Sequence, residues 1–561
     1  MCDHAPAPPG RAADPYSTMT YRYTAWFACI AICLLAVVLA LAWSPGWWWL
    51  AGVAGALSLL GLADVSQRTS TLRQLYPVLI HFRYGLESVG PEIRQYFIER
   101  DAEEVPFSRE QRALVYQRAK RVQDTVPFGT IHDVYGNDYE WINHSLVPTH
   151  LADQDFRVTV GEGGAAPYEA SLFNISAMSF GSLSANAIRA LNLGAKHGGF
   201  YHDTGEGSIS SYHREHGGDL VWEIGSGYFG CRDAEGRFDP ARFADNAADP
   251  QVKMIEIKLS QGAKPGHGGM LPAAKVTPEI ALARGVPVGV DCISPAQHSA
   301  FGSPVGLLEF VAALRELAGG KPVGFKLAIG HPWEWFGVAK AMRETGILPD
   351  FIVVDGAEGG TGAAPVEFVN HIGVPLQEAL MLVHNTLVGV DLRERVRVGA
   401  AGKITSGFDI ARTLAMGADF CNAGRAFMFS LGCIQARSCH NDRCPTGIAT
   451  QDPRRWTHLD VEGKAERVAH YHRNTMLGFR DLLCAAGLSS PAELGPEHIV
   501  RRVSGNHVSS LANIYHFLQP GELLGDVPER HAVFRAFWAD ARADTFAPPP
   551  RVLEMRASKS H

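Results

Sequence analysis

Cys433, Cys439 and Cys444 stand in the segment LGCIQARSCHNDRCPTGIATQDP with the spacing C-x5-C-x4-C, the last followed directly by Pro445. Three thiolates gathered this closely can ligate zinc or an iron–sulfur cluster. A tetrahedral zinc site wants a fourth ligand, and His440, adjacent to Cys439, is poorly placed to share its metal. Three ligands without an obvious fourth suit a three-iron cluster better, with three reduced loop cysteines as the plain alternative. A second set of reactive side chains lies upstream. Glu206 sits in DTGEG, Lys258 and Lys264 in KLSQGAKPGHGG, and Lys326 in the apolar run VGFKLAI. A lysine buried in such a run is costly unless it is paired; it can stabilise an anionic ring beside it, or simply close a structural ion pair. Three glycine-rich stretches complete the inventory: Gly359, Gly360, Thr361 and Gly362; Gly402, Lys403, Ser406 and Gly407; and Gly424 with Arg425. Loops of this kind let backbone N–H groups approach an anion. Tight-turn chemistry explains any one of them but poorly explains three in succession.

The elements that must position these residues alternate. Strand-like apolar runs are expected at 171–179, 199–204, 254–259, 288–293, 323–329, 351–355, 396–399 and 420–423, with helical patterns between them. Eight βα units at this spacing favour a closed parallel (β/α)8 TIM barrel over an open sheet. No G-x-G-x-x-G turn follows an early strand, as a doubly wound dinucleotide fold would need. In a barrel, chemistry collects at the C-terminal strand ends, and glycine loops after the last strands are the usual phosphate site. A phosphorylated cofactor such as FMN fits that reading.

Ahead of the barrel, residues 25–43 form an uncharged apolar stretch about 28 Å long as a helix. Ser44, Pro45 and Gly46 break it, and residues 47–63 supply a second, shorter span. Trp43, Trp47, Trp48 and Trp49 cluster at the turn, where amphipathic rings favour the headgroup layer. Arg11 and Arg22 precede the pair, and Arg68, Arg73 and Arg83 follow it. The positive-inside rule then predicts a multi-pass hairpin in the cell (inner) membrane with the remainder facing the cytoplasm. Residues 108–122 form a basic amphipathic stretch that suits either a membrane surface or an ordinary solvated face. The chain thus divides into a tail (1–22), a hairpin (23–66), a mostly helical lead-in (67–150), the barrel with its cysteine loop (151–456) and a helical extension (457–561). A net charge of −7 without a basic face argues against nucleic acid as a partner. Ten scattered cysteines in 561 residues form no disulfide framework.

The segments NISAMSFGSLS, DTGEG, IEIKLSQGAKPGHGGMLPAAKV, ISP, VGFKLA, DGAEGGTGAAP and the cysteine loop together resemble the synthase domain of glutamate synthase, in that family's order. The resemblance implies FMN in the barrel mouth, lined by Met178 and Ser179. It implies a phosphate held by the 359–362 and 402–407 loops with Gly424 and Arg425, and a 3Fe–4S cluster on Cys433, Cys439 and Cys444. It implies hydride transfer from the flavin to 2-iminoglutarate, formed from 2-oxoglutarate and ammonia, giving L-glutamate. Lys264 would then fix a substrate carboxylate, Glu206 would orient ammonia or move a proton at the imine nitrogen, and Lys326 would face the flavin.

Three departures qualify the expectation. No glutaminase region precedes the barrel in this sequence, so ammonia would arrive free or from a separate glutaminase. No NAD or FAD module is found, so electrons would come from a ferredoxin, another redox subunit or a membrane component. His267 replaces an acid usual in the family, and Ser208 a glycine. These changes leave room for another 2-oxo or amino acid substrate. The hairpin leaves room for a membrane-tethered electron carrier without a small-molecule substrate.

Overall fold

The computed structural model describes residues 15–67, 70–100, 106–122, 124–527 and 529–558. Residues 1–14 of the expected tail, with Arg11, and Arg68 of the positive-inside set lie outside them, while residues 15–22 belong to the first helix. Two compact units divide the chain, Met1–Glu99 and Arg100–His561.

In the first unit, helices Pro15–Ala42 and Trp48–Ser66 fold back on each other around Pro45. Both are long and apolar enough to cross a membrane. They meet through small side chains, with Ala36, Ala40, Ala51 and Ala54 buried, as closely packed apolar helices require. Gly61 lies under Trp26, where a Cβ would stand 2.2 Å from the indole. The same indole donates to the Ser58 carbonyl at 2.9 Å. Leu34, Leu35, Val38, Leu41 and Leu59 point outward, exposed.

In the second unit, eight parallel strands close into a barrel: β1 Phe173–Ile175, β2 His202–Asp203, β3 Leu220–Ile224, β4 Val252–Lys258, β5 Val323–Leu327, β6 Phe351–Asp355, β7 Arg397–Ala401 and β8 Phe420–Ala423. One expected strand is wrong and one was missed. Residues 288–293 contribute only Cys292–Ile293, paired antiparallel with Met270–Leu271 in a ribbon outside the barrel. Val288, Val290 and Ile293 are exposed there, so this β-branched run has no core to face. The missing strand is β3, LVWEI, buried at every residue.

The period-2 pattern sorts the strand residues. Trp222, Ile224, Ile255, Ile257, Phe325 and Ile352 face outward into the helix layer. Val221, Met254, Phe351, Val353, Ala401 and Phe420 face inward. Val160 and Ala170, from an antiparallel hairpin of Arg157–Val160 with Tyr168–Ser171, join the inner set and plug the N-terminal end of the barrel. Gly324 and Gly399 leave space for the Phe351 and Phe420 rings, each within 2.6 Å of where a Cβ would stand.

The helix Arg109–Lys120 starts with a capping box between Ser108 and Gln111. It buries Val115 and Ala119 in the main core, so an internal packing face replaces the membrane-surface option for this stretch. The C-terminal extension clothes the barrel wall. Helix Val461–Ala486 lies on Ala185–Gly198 and on Gly407–Ala415, and Ile499–Ser504 joins His507–Ser510 and Glu140–Ile142 in a three-stranded sheet. Glu140 locks this layer, accepting from Arg412 at 2.9 Å and Arg501 at 2.6 Å.

One close approach of that wall is at Gly194, where a Cβ would lie 2.6 Å from the Val468 side chain and 2.7 Å from the Ala465 carbonyl. Gly194→Ala should therefore lower stability by about 1–3 kcal/mol, although helix propensity alone favours alanine by about 1 kcal/mol. Urea melts of the two proteins decide it, since a stabilised variant would refute this packing.

Candidate active site at the barrel mouth

Above the apolar plug lies a layer of charge. Asp203 on β2, Glu223 on β3 and Glu256 on β4 bring their carboxylates within 4.8 Å of one another. Lys326 on β5 donates to Glu223 and stands 3.2 Å from Glu256. All four are buried. Burial pushes the Glu256 carboxyl up to about 7 despite Lys326, and Glu223 beside it adds to the rise. Burial also pushes Asp203 well above its ordinary range, with Glu256 and Glu223 adding to the effect. Burial works against the Lys326 ammonium, but Glu223, Glu256 and Asp203 outweigh it and hold the charge in place. The ammonium supplies the positive charge that a metal would otherwise bring to these carboxylates. Lys326, expected beside a flavin ring, thus has its charge shared between two glutamates.

One layer higher, Lys258 at the end of β4 pairs with Glu206 at 3.1 Å. The Glu206 carboxylate rests against bare glycine backbone, since a Cβ on Gly269 would stand 2.4 Å from its Oε1. Burial would raise this carboxyl, yet Lys258, Arg284 and Lys264 together hold it below the ordinary range. Lys264 is buried, and its ammonium donates to the Gly268 carbonyl at 2.7 Å, closing its own loop. His267 is exposed and packs edge-on against Phe368 at 5.4 Å. Arg284 donates to the Phe180 carbonyl at 3.1 Å and to Ser179 Oγ at 3.4 Å, fixing the turn after β1. Gly205 takes φ +64°, and a side chain there would meet the Ser179 backbone at 2.6 Å. Met178 faces Gly424 across the β1–β8 seam, its Sδ 3.5 Å from where a Cβ would be.

The glycine loops divide. After β6, Gly360 lies under the Arg425 guanidinium, 2.9 Å from where a Cβ would stand. A bare backbone turn with an arginine over it fits a phosphate group. In the 402–407 loop, Ser406 is the N-cap of Gly407–Ala415, and Gly407 gives way to the backbone of Gly478 and Phe479. The Lys403 ammonium lies over the Phe107 ring at 5.9 Å. Capping, helix contact and ring packing therefore account for much of this second loop.

The cysteine loop lies against the first. A Cβ on Gly362 would stand 3.1 Å from Cys439 Cβ. Tyr116 Oη donates to the Cys433 carbonyl at 2.5 Å, and Gln451 Nε2 ties the loop to the carbonyls of Gly181 and Leu183 at 3.1 and 2.8 Å. Burial pushes the Cys433 thiol up to about 11 and raises Cys439, with Arg425 opposing both. Such thiols ionise only when a metal draws off the proton. Among the described residues, the group of three ligand atoms within 4.8 Å of one another is the carboxylate set above. The donor set of the loop is three cysteine thiols, which suits an iron–sulfur cluster or zinc.

The residues that sequence reasoning missed are Asp203, Glu223, Glu256 and Arg284. A signal existed for two of them. LVWEI and MIEIK each carry one glutamate at the inward phase of an apolar strand, matching the lysine of VGFKL.

The described residues thus define a closed parallel βα-barrel protein with a cation-lined mouth and an attached cysteine loop. Residues 153–489 match the conserved region in glutamate synthase, and the chain belongs to the glutamate synthase family. The glutamate synthase large subunit-like protein YerD of Bacillus subtilis is 35% identical over 497 residues, covering 81% of this chain and 94% of that protein. The archaeal-type glutamate synthase [NADPH] of Thermotoga maritima is 36% identical over 335 residues, covering 59% of this chain and 62% of its own length. Among solved structures, a mutant flavocytochrome b2 with pyruvate bound covers 75% of this chain and 85% of its own at 13% identity. Its TM-score to this chain is 0.41.

The charged layer predicts a pH dependence. Glu256 has a folded pKa raised from 4.5 to about 7, so its stabilising contribution is complete below pH 4.5 and is lost as pH rises through 7. Relative to Glu256→Gln, the wild-type protein should lose stability between pH 5 and 7.5 in denaturant titrations. A constant difference across that range would contradict the burial of an acid here.

Proposed function

We propose that the chain is a glutamate-synthase-like flavin and iron–sulfur oxidoreductase that reduces 2-iminoglutarate, formed from 2-oxoglutarate and ammonia, to L-glutamate. The observation that carries this reading is the contact of Gly362 with Cys439. It sets a cluster-type thiol loop against the cradle that fits a cofactor phosphate, so one-electron and two-electron chemistry would meet at one barrel mouth. FMN, when bound there, supplies hydride to the imine carbon, and Gly359, Gly360, Thr361, Gly362, Gly424 and Arg425 would hold it. Lys264 donates to the Gly268 carbonyl and keeps N–H donors for a substrate carboxylate. Glu206, kept ionised by its cations, accepts an N–H from the substrate nitrogen and governs the proton there. His267 turns toward Phe368, which supports keeping the dicarboxylate substrate. Electrons would arrive one at a time from a ferredoxin or another redox subunit through a 3Fe–4S cluster on Cys433, Cys439 and Cys444.

The two apolar helices support anchoring of the protein in the cell membrane, with the barrel on the cytoplasmic side. In that case the protein stays with the membrane fraction through alkaline carbonate washing; release into the supernatant would contradict the anchor.

The catalytic reading is tested anaerobically with detergent-solubilised protein. Chemically reduced flavin should reoxidise on mixing with 2-oxoglutarate and ammonium, with matching glutamate. Lys264→Ala should retain flavin and lose at least 100-fold in turnover, about 2.7 kcal/mol of transition-state stabilisation. A flavin that stays reduced in the wild type would overturn the substrate, and loss of flavin in the variant would overturn the role of Lys264.

A further inference from the structure

A buried lysine outside the substrate face remains unexplained by the reading above. Lys275 ends the short turn Ala273–Lys275, on the segment that continues from the Lys264 loop after β4. It is 3% exposed. Its ammonium crosses to the cysteine loop, donating to the carbonyls of Cys439 at 3.0 Å and Ala449 at 3.2 Å. Asp442, within the same loop, lies 4.0 Å from it. The Asp442 side chain is itself fixed, accepting from the Gln451 amide at 2.7 Å. Burying an ammonium is expensive, and two carbonyls with one half-buried carboxylate at the long limit of an ion pair repay little of that cost. A neutral donor would serve the same carbonyls more cheaply. The charge itself therefore calls for a counter-charge near Cys439, and a cluster held by three thiolates would be anionic and supply one.

We propose that Lys275 is a positioning and charge-compensating residue for the iron–sulfur cluster, stabilising its reduced form and so raising its reduction potential. The inference rests on the cluster reading above. The potential of such a centre follows the net charge and hydrogen bonding around it. Reduction adds one negative charge, which a fixed cation beside Cys439 favours and the Asp442 carboxylate opposes. The two side chains thus act in opposite directions on one redox centre. Because Lys275 belongs to the β4 segment that also carries Lys264, it additionally ties the cluster loop to the substrate loop.

The test is an EPR-monitored redox titration of the full-length protein, with iron content measured in parallel. Lys275→Gln keeps an N–H donor for the two carbonyls and removes the charge, so its midpoint potential should fall. The expected fall is at least a tenfold change in the oxidised-to-reduced ratio at fixed potential, about 59 mV for a one-electron couple. Lys275→Arg should restore the wild-type value, and Asp442→Asn should move the potential upward. Unchanged potentials at full iron content in Lys275→Gln and Asp442→Asn would overturn the role while leaving the cluster standing. Should Lys275→Gln lose its iron, Asp442→Asn alone decides, an unshifted potential counting against the proposal. Wild-type protein without iron would overturn the cluster reading itself, and this inference with it.

Discussion

The barrel closes around a buried charge, and much of the site follows from how that charge is satisfied. Lys326 reaches inward from β5 and is held by Glu223 from β3 and Glu256 from β4, so three neighbouring strands are cross-linked through one ammonium. Removing one partner of a buried ionic set typically costs about 3–5 kcal/mol, because the others are left uncompensated. The layer also divides the barrel interior. Beneath it the rings of Phe351 and Phe420 and the hairpin bearing Val160 make a dry plug. Above it the strand ends turn outward with Lys258, Glu206 and Lys264.

The mouth uses glycine where backbone must meet backbone or charge. Gly205 lets the β2 loop touch the turn after β1, and Gly360 and Gly362 let the β6 loop pass under Arg425 and against Cys439. Arg425 consequently serves two neighbours, the bare backbone of the β6 loop and the thiols whose ionisation it favours. Gln451 and Lys275 bind the cysteine loop to the β1 and β4 segments. Substrate loop, cofactor cradle and cysteine loop are therefore joined by hydrogen bonds between loops rather than by a common helix or strand.

Much of this was legible in the sequence, for reasons that can be named. The cysteine spacing, the glycine loops and Lys264 sit in local motifs whose chemistry is visible residue by residue. The apolar hairpin was legible by length alone. What failed depended on contacts distant in sequence. The run at 288–293 has the composition of a strand, and only its exposure shows that it lies outside the barrel. LVWEI is interrupted by a glutamate that looks solvent-seeking until Lys326, 103 residues away, is placed beside it. Ser406 and Gly407 carry residue types that a phosphate loop, a helix cap and a close helix contact all call for.

The proposed function requires one barrel mouth to join a flavin to a three-iron cluster on Cys433, Cys439 and Cys444. The most direct measurement is the cofactor content of anaerobically purified wild-type and Cys439→Ser protein, by flavin release, metal analysis and EPR. One FMN and three irons are expected per wild-type chain, with iron lost and flavin retained in the variant. Zinc in place of iron, or iron unaffected by the substitution, would contradict it.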